Sequence, residues 1–194
     1  MKSQKQVWNN LAQEWYALKN NPLKNVINFL SKQQGKVLDL GSGAGRHLTK
    51  IKNGKMYLVD FSEKMIKLAK QKKIPAKFFV APMTKLPFKN NFFDAGICTS
   101  ALHCLQKEER EKAVQELHRV LKPKAKTYIT LYNKNSEQFK NSPKEKFIRW
   151  KDKEIRYYYI FDEQEAHELF KKYGFKIVKK FTPKRSIEFI AEKT

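Results

Sequence analysis

The sequence predicts a single α/β domain built on a mostly parallel sheet that ends in an antiparallel hairpin. Three observations predict it. Between residues 36 and 132, short strand-like runs alternate with segments of helical periodicity, the pattern of βαβ units. The first of these strands runs into "LGSGAGR", where three of the chain's seven glycines stand at alternate positions. After Gly174 come two strands separated only by "TPKR", a spacing that makes a hairpin. At 194 residues the chain suits one domain with a substantial core, and no internal repeat is visible.

The elements follow in order. "QVWNNLAQEWYAL" puts Trp8, Leu11, Ala12, Trp15 and Tyr16 at helical spacing, which predicts an amphipathic helix over residues 4–18. Pro22 opens a second helix, "PLKNVINFLSKQ", and residues 1–34 together form a helical lid. "KVLDL" is a short buried strand, and the glycine turn is expected to lead into a helix over about 45–52. "KMYLVD" is the next strand. Ser62 then caps "EKMIKLAKQKK", whose apolar face is Met65, Ile66, Leu68 and Ala69. "AKFFVA" and "FFDAGICTS" are the third and fourth strands. "KEEREKAVQELHRVLK" carries acids at its start and bases at its end, as the helix dipole favours, and Pro123 stops it before the strand "KTYITLY". Residues 133–160 open as a polar insertion; its first part, 133–155, holds seven lysines and arginines and is the expected mobile or partner-binding segment. "EIRYYYIF", a helix over about 162–172 stopped by Gly174, and the final hairpin complete the chain.

Charged residues are 31% of the chain and hydrophobic ones 41%, a balance that suits a soluble globular protein. No apolar run approaches the roughly 18 residues of a membrane span, and the first residues lack the apolar segment of a signal peptide, so a cytoplasmic location away from membranes is expected. Cys98 and Cys104 are too few for a disulfide framework, and no Cys/His spacing predicts a metal site. The net charge of +22 favours an anionic partner, nucleic acid first. Only six of the 41 basic residues are arginine, however, and a lysine excess spread over the whole chain is equally a compositional feature.

A strand that ends in closely spaced glycines lets the backbone approach a nucleotide. No Lys-Ser/Thr pair follows the turn, which excludes a triphosphate-binding P-loop. The spacing is G-x-G-x-G followed by Arg46, not the G-x-G-x-x-G that seats a dinucleotide. The second strand ends in Asp60, 15 residues past Gly45, where a carboxylate can accept hydrogen bonds from both hydroxyls of a ribose. Ser62 is better placed than Asp60 to cap the following helix, which leaves Asp60 free for the ribose.

"VLDLGSGAGRHL", "LVDFSEKMIKLAK", "LPFKNNFFDAGICTSALHCL" and "ELHRVLKPKAKTYITLY" resemble, in order and spacing, the successive motifs of the class I S-adenosylmethionine-dependent methyltransferases. The resemblance covers residues 35–132. It implies a Rossmann-like, seven-stranded, mostly parallel sheet with helices on both faces. "VWNNLAQEWYALKNNPLKNVINFL", "SALHCLQKEEREKAVQELHRVLKP" and "RYYYIF" are similar to segments of the tRNA wobble-uridine methyltransferases, which esterify a 5-carboxymethyluridine in the anticodon. That narrower resemblance implies tRNA as substrate and, for several members, a small zinc-binding activator protein that covers an apolar sheet edge. The chain departs from the family at Lys19 and Pro22-Leu23, where an Arg and a Pro-Trp are usual. It departs again at Pro82, where an acid contacts the adenine, at Pro123-Lys124-Ala125, usually Pro-Gly-Gly, and at Tyr159, usually His.

Carried onto this sequence, the resemblance implies S-adenosylmethionine held by Asp39, Gly41, Ser42, Gly43, Gly45, Asp60, Phe61, Pro82, Met83, Thr99 and Ser100. An anionic carboxylate acceptor needs no general base; a hydroxyl or ring nitrogen would, and His103, expected to titrate near neutrality, is the first choice. The planar fork of Arg46 suits a carboxylate of cofactor or substrate. For RNA the expected contacts are Lys19, Lys24, Arg149, Arg156 and Tyr158, with Trp150 and Tyr157 nearby; strand alternation puts Tyr157 and Tyr159 on one face and Tyr158, expected toward the cleft, on the other. Two alternatives stand beside tRNA methylation: a small-molecule methyltransferase, and a cofactor-binding RNA module without turnover.

Overall fold

The computed structural model of the protein describes residues 2–151 and 153–194. Five helices are present among them: α1 (Gln4–Leu18), α2 (Lys24–Leu30), α3 (Glu63–Lys70), α4 (Lys107–Val120) and α5 (Glu163–Lys172). The strands are β1 (Gln34–Leu40), β2 (Lys52–Asp60), β3 (Ala76–Val80), β4 (Phe93–Thr99), β5 (Leu121–Tyr132), β6 (Glu145–Trp150), β7 (Glu154–Tyr159), β8 (Phe175–Lys180) and β9 (Ser186–Lys193).

Seven strands form one sheet in the order β3-β2-β1-β4-β5-β9-β8. β1 to β5 are parallel, while β9 runs antiparallel to both β5 and β8. The chain first winds outward from β1 through β2 to β3, then returns to add β4 and β5 on the other side. The direction of winding therefore reverses between β1 and β4, the place where open α/β sheets bind ligands at the carboxyl ends of their strands.

Both faces of the sheet are covered, because β1 and its neighbours are apolar on alternate sides. Leu38, Leu40, Cys98, Ile129 and Leu131 pack with Ala113, Val114 and Leu117 of α4 and Ala166 and Phe170 of α5. Val37, Met56, Leu58, Ala95 and Ile97 pack with Val26, Phe29 and Leu30 of α2 and Ile66 and Ala69 of α3. A third apolar cluster joins α1, α3 and β7 through Trp8, Ala12, Met65, Leu68 and Tyr158. The Ser62 cap is as the sequence predicts, its hydroxyl accepting the Met65 N–H; Ser3 and Gln6 also form a reciprocal box at the start of α1.

Two expectations are corrected. No helix forms over 45–52. Residues 41–47 make successive turns instead, and β2 begins at Lys52. Gly41, Gly43 and Gly45 all take positive φ, which a right-handed helix does not allow, and the short stretch that remains is used to bury Leu48 and Ile51 against the sheet. The polar insertion is also more ordered than expected. Its β6 pairs antiparallel with β7 to form a separate two-stranded sheet, with Trp150 opposite Glu154.

Candidate active site

A cavity of about 460 Å³ opens at the carboxyl ends of β1 and β4 and is roofed by α1. That volume suits a nucleoside-sized ligand. Its floor is the glycine turn. A Cβ on Gly41 would stand 2.4 Å from the Ala101 Cβ, so packing alone demands glycine there, while one on Gly45 would stand a tight 3.1 Å from the Ala69 Cβ. Gly43 differs. A Cβ there would meet only the Met65 Sδ, at 3.9 Å, and would project into open space. Protein packing does not call for this glycine, whereas close approach of a ligand would.

Asp60 stands at the end of β2 on the cavity wall. One oxygen accepts the Gly43 N–H at 2.8 Å and the other the Ser62 N–H at 2.9 Å. Burial pushes its carboxyl up to about 6, against those two hydrogen bonds. Each oxygen keeps a lone pair for a ribose hydroxyl. Asp39 is fully buried at the end of β1, and neither of its oxygens has a partner. Burial, with Asp60 adding to it, pushes this carboxyl up to about 8. An orphaned buried carboxylate calls for a cation, and the α-ammonium of a bound methionyl group is one. Phe61, Pro82, Met83, Thr99 and Ser100 line the cavity with Gly41, Ser42, Gly43 and Asp60, whereas Asp39 and Gly45, also expected at the cofactor, do not line it. Ser100 takes φ +54°, held there by hydrogen bonds from its N–H to the carbonyl and hydroxyl of Thr130.

Arg46 lines the cavity, and its Nε donates to the Asn21 carbonyl at 2.6 Å. Lys72 makes a matching tie: its Nζ donates to the Gly45 carbonyl at 2.8 Å and to Asn20 Oδ1 at 2.6 Å. Two cations thus fasten the α1–α2 link to the glycine turn. Lys19 also lines the cavity.

Other expected residues lie elsewhere. His103 is buried, stacks on Tyr132 at 4.0 Å, and accepts the Tyr132 N–H on Nδ1. Burial holds it down to about 3, so the expected titration near neutrality does not occur. Arg156 and Tyr158 are buried too. The Arg156 guanidinium donates to Tyr158 Oη at 2.7 Å and lies 4.8 Å from the Trp150 ring and 5.4 Å from that of Trp15. This pair fastens β7 to α1 and offers no open surface to RNA. Tyr158 does face away from Tyr157 and Tyr159, as alternation predicts, but Tyr157 is the one that lines the cavity. Lys24 and Arg149 are exposed, outside the cavity.

Sequence reasoning did not assign Trp8, Trp15, Tyr16, Gln106, Glu109 or His47 to the cavity wall. The signal for the first three was the aromatic excess on one face of α1. His47 sits beside Thr99 Oγ1 at 3.2 Å, and burial, with Arg46 and Lys72 adding to it, holds it down to about 3.

Residues 38–129 match the family model described as a methyltransferase domain. A SAM-dependent methyltransferase from Methanosarcina mazei superposes with a TM-score of 0.74 at 21% identity, over 89% of this chain and 98% of that one. The methyltransferase of a complex with the Haloferax volcanii Trm112 activator superposes with a TM-score of 0.75 at 15% identity, over 99% and 98% of the two chains. With the strand order and the glycine turn, these findings give the chain the fold of the S-adenosylmethionine-dependent methyltransferases, with a methyltransferase domain matched over residues 38–129. Within that class its sequence is similar to the tRNA (carboxymethyluridine(34)-5-O)-methyltransferase of Xenopus tropicalis, 28% identical over 141 residues. Those residues are 71% of this chain, which spans only 22% of that relative's length.

Proposed function

We propose that this chain transfers the methyl group of S-adenosylmethionine to the carboxylate of a 5-carboxymethyluridine at the wobble position of tRNA. The observation that carries the acceptor is the make-up of the cavity. Its lining includes Lys19 and Arg46, and among the described residues no carboxylate is bonded to either. Its one lining imidazole, His47, is held neutral far below physiological pH and is a weak base. Such a site suits an acceptor that arrives already anionic. The similarity to the tRNA carboxymethyluridine methyltransferases supports the same choice.

The cofactor, when bound, supplies a sulfonium methyl open to in-line attack. Asp39 would neutralise the ammonium of its methionyl part, Asp60 would accept from the ribose hydroxyls, and Phe61 would pack against the base. Arg46 and Lys19 orient the acceptor carboxylate, while Trp8, Trp15 and Tyr16 on the lid exclude the water that would solvate it. No proton leaves the acceptor, so no base is needed.

The reading carries a partner, an activator of the Trm112 kind seen with the structural neighbour. The free edges of the large sheet are β3 and β8, and each presents an exposed valine, Val80 and Val178. Mass spectrometry of tRNA nucleosides, after incubation with enzyme and labelled cofactor, tests the activity with and without activator. Label is expected in carboxymethylated tRNA and not in tRNA lacking the carboxymethyl group. No label in either, with activator present, refutes the reading.

A further inference from the structure

Beyond the cavity mouth lies a second depression of about 680 Å³, between the end of β5 and the β8–β9 turn. Arg185 and Lys184 line it. The β5–β9 register pairs Tyr132 with Ser186, so Arg185 stands just past the last pair. Thr99 of the cavity pairs with Thr130 of the same β5, which puts Arg185 at the same edge of the sheet as the active site.

The position of this turn is built. Asn133 is buried and spends its polar groups on it. Its N–H donates to the Arg185 carbonyl at 3.3 Å, its Nδ2 donates to the Lys184 carbonyl at 2.8 Å, and its Oδ1 accepts the Asn135 N–H at 3.0 Å. The turn is therefore pinned while its two cations are left outward. Glu137 and Glu163 also line the depression, but Glu137 is paired with Lys140 at 2.8 Å and Glu163 faces His167 at 4.0 Å. Among the described residues, neither Lys184 nor Arg185 makes an ion pair. Burial, with Arg185, Arg46 and Arg156 adding to it, lowers the basicity of Lys19, which lines the neighbouring cavity. Like charges gathered this way repel, and an anion placed among them relieves the repulsion.

We infer that Arg185, with Lys184 lining the same depression, binds the phosphodiester adjacent to the nucleotide whose base enters the cavity. Arg185 is then a binding residue for the RNA backbone, and Asn133 is its positioning residue. This rests on the tRNA reading and deepens it. The depression is the track along which the strand approaches, and the guanidinium fork matches phosphate oxygens in two directions.

The test uses the full chain and an anticodon stem-loop RNA carrying carboxymethyluridine. Arg185→Gln and Asn133→Ala are compared with Lys67→Gln, which removes one charge from an exposed site on α3. Binding is measured across a salt series, and cofactor binding serves as the folding control. Arg185→Gln is expected to weaken RNA binding about 5- to 10-fold and to reduce the salt slope by about 0.7, the loss of one single-strand phosphate contact. Arg185→Lys should restore most of the affinity. KM for the free carboxymethyluridine nucleoside should not change. An Arg185→Gln chain that binds RNA as the Lys67→Gln control does overturns the inference, as does a wild-type chain that does not bind the stem-loop at all. Turnover is scored separately: RNA binding that depends on Arg185 without methyl transfer supports the phosphate site and refutes the proposed activity.

Discussion

Replacing Gly43 with alanine separates what the glycine turn does for the fold from what it does for the ligand. At φ +52° an alanine costs about 1–2 kcal/mol of backbone strain. Nothing is added by collision, because the nearest protein atom to the new methyl is the Met65 Sδ at 3.9 Å. For a chain of this length that strain lowers the thermal midpoint by about 2–8 °C. Gly41→Ala bears a similar strain at φ +70° and also drives its methyl to 2.4 Å from the Ala101 Cβ. Overpacking adds about 1–3 kcal/mol, so its midpoint should fall further, by about 4–20 °C in all. Ligand binding should rank the other way per unit of stability lost. The Gly43 methyl occupies the space a cofactor backbone contact needs, and affinity for S-adenosylhomocysteine should drop about 10- to 100-fold, roughly 1.4–2.8 kcal/mol. Calorimetric titration gives the affinity, and thermal melts with and without S-adenosylhomocysteine give the stability. Binding by Gly43→Ala within threefold of wild type would refute the assignment of this glycine to the cofactor. So would a loss of stability equal to that of Gly41→Ala.

Asp39 makes cofactor affinity depend on pH. Its carboxyl is raised to about 8 in the free chain, so pairing with an ammonium releases a proton, and affinity should climb toward tenfold per unit between pH 5 and 7; a flat profile in wild type, or an unchanged slope in Asp39→Asn, contradicts this. The same group acts oppositely on the ligand-free fold. Its folded value lies above the ordinary 3.8, so its stabilising contribution is present at low pH and is lost as pH rises from about 4 to about 8. His103→Gln should cost about 1–2 kcal/mol of stability, because a buried hydrogen bond to Tyr132 is disturbed, yet leave the shape of the pH–rate profile between 6 and 9 unchanged. A lost limb in that profile would restore His103 as a titrating catalyst. Lys124 holds φ +65° inside β5, so Lys124→Gly should raise stability by about 0.5–1 kcal/mol in denaturant titration; a decrease would mean that the lysine makes a compensating interaction.

The strands were legible because each is a short apolar run bounded by turn residues, and the hairpin because only four residues separate β8 from β9. The helix expected after the glycine turn failed for a physical reason that the sequence already contained: Gly45 at φ +71° with few residues to spare before β2 leaves no room for a helical turn to propagate. The places of Gly41, Gly43 and Asp60 on the cavity wall were legible because they depend on local backbone shape and on the end of a strand. His103, Arg156 and Tyr158 were not, because whether a polar side chain near a site faces the ligand or the core is decided by long-range packing. Arg156 meets three tryptophans from segments more than a hundred residues apart in the chain. Asn133 and Arg185 drew no signal, since their partnership appears only when β9 returns beside β5.

The box around Arg156 has a spectroscopic consequence. The chain has three tryptophans, and all of them are there: Trp8 and Trp15 on the lid with rings 5.0 Å apart, and Trp150 on β6 at 5.4 Å from Trp15. Trp8 and Trp15 also line the cavity. Tryptophan fluorescence, excited selectively over the eight tyrosines, therefore reports one place, the seam where α1 meets the small sheet. Ligand entry beside Trp8 and Trp15 can thus be followed in the unlabelled native chain.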